Sequence, residues 1–99
     1  MGNLIEFVDL KRIKKINDIT VYHRFVNWVS SEFDLYLQNE TKKLQVFLPN
    51  GSFDIEIFND CNNSLNILIH VKGKSKDTSL MIIKKLENIY NNVLKFNLK

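Results

Sequence analysis

Between Phe33 and His70 the chain alternates apolar and polar residues in four successive stretches, which restricts it to folds built on a sheet with one buried face. Phe33, Leu35 and Leu37 alternate with Asp34, Tyr36 and Gln38, and Leu44, Val46 and Leu48 with Gln45 and Phe47. Phe53, Ile55 and Ile57 alternate with Asp54, Glu56 and Phe58, and Leu65, Ile67 and Ile69 with Asn66, Leu68 and His70. Four strands are predicted, the first-named set of each pointing inward and the second outward.

Asn50-Gly51, between the second and third stretches, predicts a two-residue type I′ hairpin turn, which needs positive φ at both central positions. That turn pairs Leu48 with Phe53, Val46 with Ile55 and Leu44 with Ile57, and on the other face Phe47 with Asp54 and Gln45 with Glu56. Turn chemistry and face patterning thus select one register. Pro49 stands beside the turn, where its missing N–H does least harm. The connections at residues 39–43, 59–64 and 72–76 are short enough for antiparallel neighbours.

Residues 18–32 predict an amphipathic helix capped by Asp18, with Tyr22, Phe25, Val26, Val29 and Phe33 as its buried stripe and Trp28 beside it. A second helix is predicted over residues 78–96, capped by Asp77 or Thr78 and burying Ile82, Ile83, Leu86, Ile89, Tyr90 and Val93. Residues 3–16 carry two rhythms at once. Leu4, Glu6 and Val8 alternate like a strand, whereas Leu10, Ile13 and Ile16 recur like a helix with Asp9 as its cap. A short strand or extended arm followed by a basic helical turn or two is expected there. The fold class is α+β: an antiparallel four-stranded meander, with room for a fifth strand from the N-terminus, and two helices packed on one face, in the order (β/α)-α-β-β-β-β-α. With 99 residues the chain makes a single domain, 1–99.

Composition narrows the class of function. At 44% hydrophobic and 25% charged residues the chain is ordinary for a globular protein, which argues against a disordered chain. Ala is absent, Gly is rare and Asn, Lys and Ile abound, a bias that follows AT-rich codons and discounts part of the lysine content. The net charge of +3 permits an acidic partner without demanding one. The single Cys61 excludes an internal disulfide and suits a reducing compartment. No apolar run approaches the roughly 20 residues that span a bilayer. The N-terminus lacks a basic, cleavable leader, and Glu6 stands where a myristoylation motif wants Ser or Thr. A cytoplasmic protein without a membrane association is expected.

Catalysis needs a nucleophile, a base and polarising groups held together, and few are on offer. Cys61 lies in a loop of Asn and Asp, His23 on the first helix and His70 on the outward face of the last strand. No three or four Cys, His or carboxylates have metal-ligand spacing, and Gly2, Gly51 and Gly73 are too scattered for a phosphate loop. Asp54 and Glu56 share a strand face with Asp34, but such carboxylates are commonly solvated. Neither an enzyme nor a cofactor is expected.

The outward sheet face is the unusual feature. Tyr36, Phe47, Phe58 and Leu68 point away from the core among Asp34, Asp54 and Glu56, a composition typical of interface centres. Either this face is open to a partner or the N-terminal segment, with Leu4, Ile5 and Phe7, folds across it. An open face with those carboxylates favours a basic protein partner, and the size and lack of catalytic groups suit a small inhibitor or an immunity- or antitoxin-like protein. Two alternatives stand beside this one. Lys11, Arg12, Lys14 and Lys15, with Lys72, Lys74 and Lys76, could contact phosphates of a nucleic acid. The α-β-β-β-α portion resembles a double-stranded-RNA-binding domain in element order, although an extra strand is present and that family's Gly-Pro loop and helix-start lysines are missing. The last alternative is a homodimer packed through the aromatic face.

Overall fold

The computed structural model describes residues 7–97 and contains β1 (Val8–Ile16), α1 (Ile19–Glu32), β2 (Leu37–Glu40), β3 (Lys43–Leu48), β4 (Gly51–Asn59), β5 (Leu65–Gly73) and α2 (Lys76–Asn97). One antiparallel sheet has the order β1-β5-β4-β3-β2. Helix α1 carries the chain from β1, at one edge, to β2 at the other, and the meander β2 to β5 returns it to pair with β1. The fold is the expected α+β arrangement with the fifth strand present.

Both helices lie on one face. Val21, Tyr22, Phe25, Val26 and Val29 of α1 and Ile82, Ile83, Leu86, Ile89, Tyr90 and Val93 of α2 join Leu44, Val46, Phe53, Ile55, Ile67, Ile69 and Val71 in a single buried cluster. The helices meet edge-to-face through Phe25 and Tyr90, with ring centroids 5.4 Å apart. Asp18 caps α1 by accepting the Thr20 N–H at 3.0 Å, and that bond holds its carboxyl below the usual carboxylate range. Helix α2 begins two residues earlier than its apolar stripe suggests, and Ser75 stands at its cap, its Oγ accepting the Thr78 N–H at 3.1 Å. Neither Asp77 nor Thr78 is the cap, because both lie inside the first turn.

Three further expectations are corrected. Residues 8–16 form one continuous strand rather than a strand and a helical turn. Val8, Leu10 and Ile16 face the helices as alternation demands, but Arg12 and Lys14 occupy the inward positions between them. At this edge their side chains reach Glu87 on α2, at 4.0 and 2.7 Å, and share its single carboxylate.

The second correction concerns residues 33–38. Phe33 to Tyr36 form the turn after α1, with the Tyr36 N–H on the Phe33 carbonyl, and β2 starts only at Leu37. The strand phase is reversed: Leu37 pairs with Phe47 and points outward, while Gln38 pairs with Val46 and points inward. Gln38 tolerates that position because its side chain amide donates to the carbonyls of Ser30 and Phe33, at 3.0 and 2.7 Å, and its Oε1 accepts the Ser30 hydroxyl at 2.7 Å. It thereby satisfies carbonyls that the end of a helix leaves without partners.

The third is the hairpin register. The observed pairs are Leu48 with Gly51, Val46 with Phe53, Leu44 with Ile55, Gln45 with Asp54 and Lys43 with Glu56. The turn residues are therefore Pro49 and Asn50, and neither they nor Gly51 has positive φ, which excludes type I′. Proline presets the first central position of an ordinary turn, where no N–H is needed, whereas a type I′ turn one residue later puts it in the ladder. The slip is two residues, so every side chain keeps its face. Gly51 serves close approach instead: a Cβ there would lie 2.3 Å from the Lys72 carbonyl oxygen.

Candidate interaction surface

The sheet face opposite the helices is built by the outward-pointing residues of all five strands, and the register fixes their neighbours. One row across the sheet reads Asp9, Lys72, Ser52, Phe47 and Leu37; the next reads Lys11, His70, Asp54, Gln45 and Asn39. A third joins Ile13, Leu68, Glu56 and Lys43, and a fourth Lys15, Asn66 and Phe58. Neither helix packs on these residues, because both helical stripes belong to the cluster on the other side. Ile13 is 61% exposed, Leu37 73% and Phe47 43%.

Two apolar islands result. Ile13 and Leu68 are direct cross-strand partners, and Phe58 stands diagonally next to Leu68 on β4. At the other corner Phe47 and Leu37 form a second pair. A charged band separates the islands. Lys43 Nζ lies 3.9 Å from both Asp54 and Glu56 and is shared between them. His70 sits between Lys11 and Asp54, with its Nε2 buried, 3.8 Å from the Asp9 carboxylate and without a hydrogen-bond partner among the described residues. The acidic residues concentrate on β4, whereas β1 and β5 bring Lys11, Lys15 and Lys72 to the same face.

Of the anticipated contact residues, Phe47, Asp54, Glu56, Phe58 and Leu68 come together here. Asp34 and Tyr36 do not, because their segment is the turn after α1. The Tyr36 ring lies 6.0 Å from Phe33, which packs on Phe53 of the core at 5.0 Å, so Tyr36 belongs to the helix side of the sheet. Ile13, Leu37, Lys11 and Lys15 are on the face and were not anticipated there. The signal for Leu37 was Gln38, a residue able to cap the preceding helix; the signal for Ile13 was its two-residue spacing from Lys11 and Lys15, masked by Arg12 and Lys14 on the opposite side.

The N-terminal segment does not cross the face within the described residues, since β1 extends the sheet alongside β5. Phe7, half exposed, lines a shallow cleft with Phe47, Ser52 and Lys74 at one corner. Leu4 and Ile5 lie outside the described residues.

The lysine cluster is divided by the strand. Lys11 and Lys15 point outward with Lys72, Arg12 and Lys14 turn to Glu87 on the helix side, and Lys74 and Lys76 lie beyond β5 at the start of α2. Lys14 also lies over the Tyr90 ring, 5.7 Å from its centroid. Cys61 is exposed in the β4–β5 turn, where Asp60 accepts the N–H groups of Asn62 and Ser64, which hold its carboxyl below the usual range. His70 lies toward the far end of β5, and His23 is exposed on α1, so these three side chains do not converge. Among the described residues no group of three or more His, Cys, Asp or Glu could hold a metal ion, and no helix is long and apolar enough to cross a membrane. No protein-family model matches the chain, and no curated protein matches it.

Proposed function

We propose that this chain is a non-enzymatic protein-binding domain of the small-inhibitor or antitoxin type, which occludes its target with the helix-free face of the sheet. The observation that carries the reading is the pair of apolar islands, Ile13–Leu68–Phe58 and Leu37–Phe47, set on either side of a charged band and left uncovered by both helices. Apolar anchors around charge that must be matched are what a selective protein interface needs. Asp54 and Glu56 share one lysine, so a basic group of the target can take the place of Lys43 between them without stranding a carboxylate. Lys11, Lys15 and Lys72 on the neighbouring strands then call for acidic groups on the target's flank.

A nucleic-acid reading has less support, because two of its seven cations, Arg12 and Lys14, are engaged by Glu87. The test is an affinity capture with the intact chain and with a folded Phe47→Ala, Phe58→Ala variant, each with and without nuclease. A basic protein held in stoichiometric amount by the intact chain, resistant to nuclease and lost with the double variant, is the expected result. Equal capture by both baits, or recovery that disappears with nuclease, would sink the proposal.

A further inference from the structure

The sheet leaves β1 without a strand partner along one side among the described residues, and that edge is basic. Its nine residues hold Lys11, Arg12, Lys14 and Lys15, with Asp9 the sole acid. Lysines on an edge keep it from pairing with its own kind. They also define what does match it. Arg12 and Lys14 face the helix side and share the Glu87 carboxylate. Lys11 and Lys15 face outward, exposed, and make no ion pair among the described residues. Ile13 stands between them, 61% exposed, at the margin of the open face.

Two hydrogen bonds fix which backbone groups this edge offers. The Lys74 N–H donates to the Asn50 carbonyl at 2.9 Å and the Asp60 N–H to the Ser64 carbonyl at 3.0 Å, just past either end of the β4–β5 ladder. Both pairs keep the register of that ladder, so the even-numbered residues of β5 bond to β4. The odd-numbered ones then bond to β1, where their partners are Val8, Leu10, Arg12, Lys14 and Ile16. Asp9, Lys11, Ile13 and Lys15 are left with N–H and C=O turned to the open edge. The residues that offer backbone bonds are therefore the ones whose side chains point outward.

We propose that β1 receives an extended acidic segment of the target protein as a sixth strand, in the pattern acidic–x–apolar–x–acidic. Cross-strand partners share a face, so acids opposite Lys11 and Lys15 and an apolar residue opposite Ile13 match the outward side. The x positions fall beside Arg12 and Lys14, to which Glu87 already supplies a carboxylate, and carry no charge requirement. The pattern reads the same in both directions, so parallel and antiparallel segments present the same three side chains. A basic strand, a second copy of β1 included, sets like charges opposite one another. The apolar residue also extends the Ile13–Leu68–Phe58 island past the edge. The proposal deepens the function proposed above and rests on it for placing the segment on the target's acidic flank; the edge geometry does not depend on it.

The probe is the end-blocked peptide Thr-Glu-Thr-Val-Thr-Glu-Thr, titrated into the full chain while amide hydrogen exchange is read residue by residue. In the free chain the Lys11, Ile13 and Lys15 amides should exchange quickly and those of Arg12 and Lys14 slowly. Bound peptide should slow the first three by about tenfold or more. Lys11→Glu with Lys15→Glu should raise the dissociation constant by about tenfold or more, and that variant should bind Thr-Lys-Thr-Val-Thr-Lys-Thr instead. Both side chains are exposed and outside the core, so the reversal leaves the fold in place. Binding that leaves the three amides fast, or a reversal that does not exchange the two peptides, would overturn the proposal. So would a single-stranded oligonucleotide that needs Lys11 and Lys15 while the acidic peptide does not bind, an outcome that gives the lysines to nucleic acid. Peptide pairing without capture of a basic protein would remove the proposed function and keep the edge site, whereas capture without peptide pairing would do the reverse.

Discussion

Gly73 occupies a tight junction between β5 and α2. A Cβ there would stand 2.3 Å from Ser79 Oγ and 2.8 Å from its backbone nitrogen, so only glycine lets α2 start so close to the end of β5. Ser79 is fully buried and donates to the Val8 carbonyl at 2.7 Å, which ties the start of β1 to the same point. Gly73→Ala should cost about 1–3 kcal/mol in urea unfolding, as overpacking does. Ser79→Ala removes one hydrogen bond and should cost about 1 kcal/mol. The double variant should lose less than the sum, because removing Oγ clears the closest of the contacts; strict additivity would show that the two positions do not press on each other. Two tyrosines make a second prediction at this scale. Burial raises the phenols of Tyr22 and Tyr90 above their ordinary range, with Glu40 and Glu56 adding to the effect at Tyr22. The fold favours the neutral form, so this stability is fully present below pH about 10 and is lost as pH rises through the raised values. Stability should decline on the alkaline side, and Tyr22→Phe with Tyr90→Phe should make the alkaline profile flatter. An unchanged profile in the double variant would assign the decline to other groups.

The elements show where local pattern suffices and where it is overruled. β4 and β5 alternate as written in the sequence, and the α1 and α2 stripes are buried as spaced, because their neighbours are apolar residues that make no competing demand. β1 was illegible because Arg12 and Lys14 take inward positions that Glu87, more than seventy residues away, makes acceptable. The Asn-Gly signal misled because Pro49 competes for the same turn and wins. β2 was read in the wrong phase because Gln38 points inward to bond the end of α1, a role that polarity alone does not announce. Gln38→Ala strands the Ser30 and Phe33 carbonyls and should cost about 1–3 kcal/mol. Hydrogen exchange should locate the loss in β2 and the last turn of α1, with β4 and β5 protected as before. Loosening spread evenly over the sheet would instead assign Gln38 to the common core.

At the scale of the whole molecule, one face of the sheet packs against both helices and the other is covered by neither. The legible part of the candidate surface was the part on β3, β4 and β5, where a two-residue slip leaves Phe47, Asp54, Glu56, Phe58 and Leu68 on their face. The rest depended on the phase of β1 and β2, which contacts with the helices decide. If the outward face is open in solution, its apolar residues contribute little to folding, whereas the inward ones hold the core. Ile13→Ala and Phe47→Ala should each cost about 1 kcal/mol or less in urea unfolding, as partly exposed positions do. Ile55→Ala and Ile69→Ala, fully buried on the opposite face of adjacent strands, should cost about 2–5 kcal/mol each. That asymmetry would show that the outward residues are uncovered in the isolated chain, as the proposed interaction face requires. Comparable losses on both faces would mean that the islands at Ile13 and Phe47 are already covered in the isolated chain, and the open-face reading of function would fall with them.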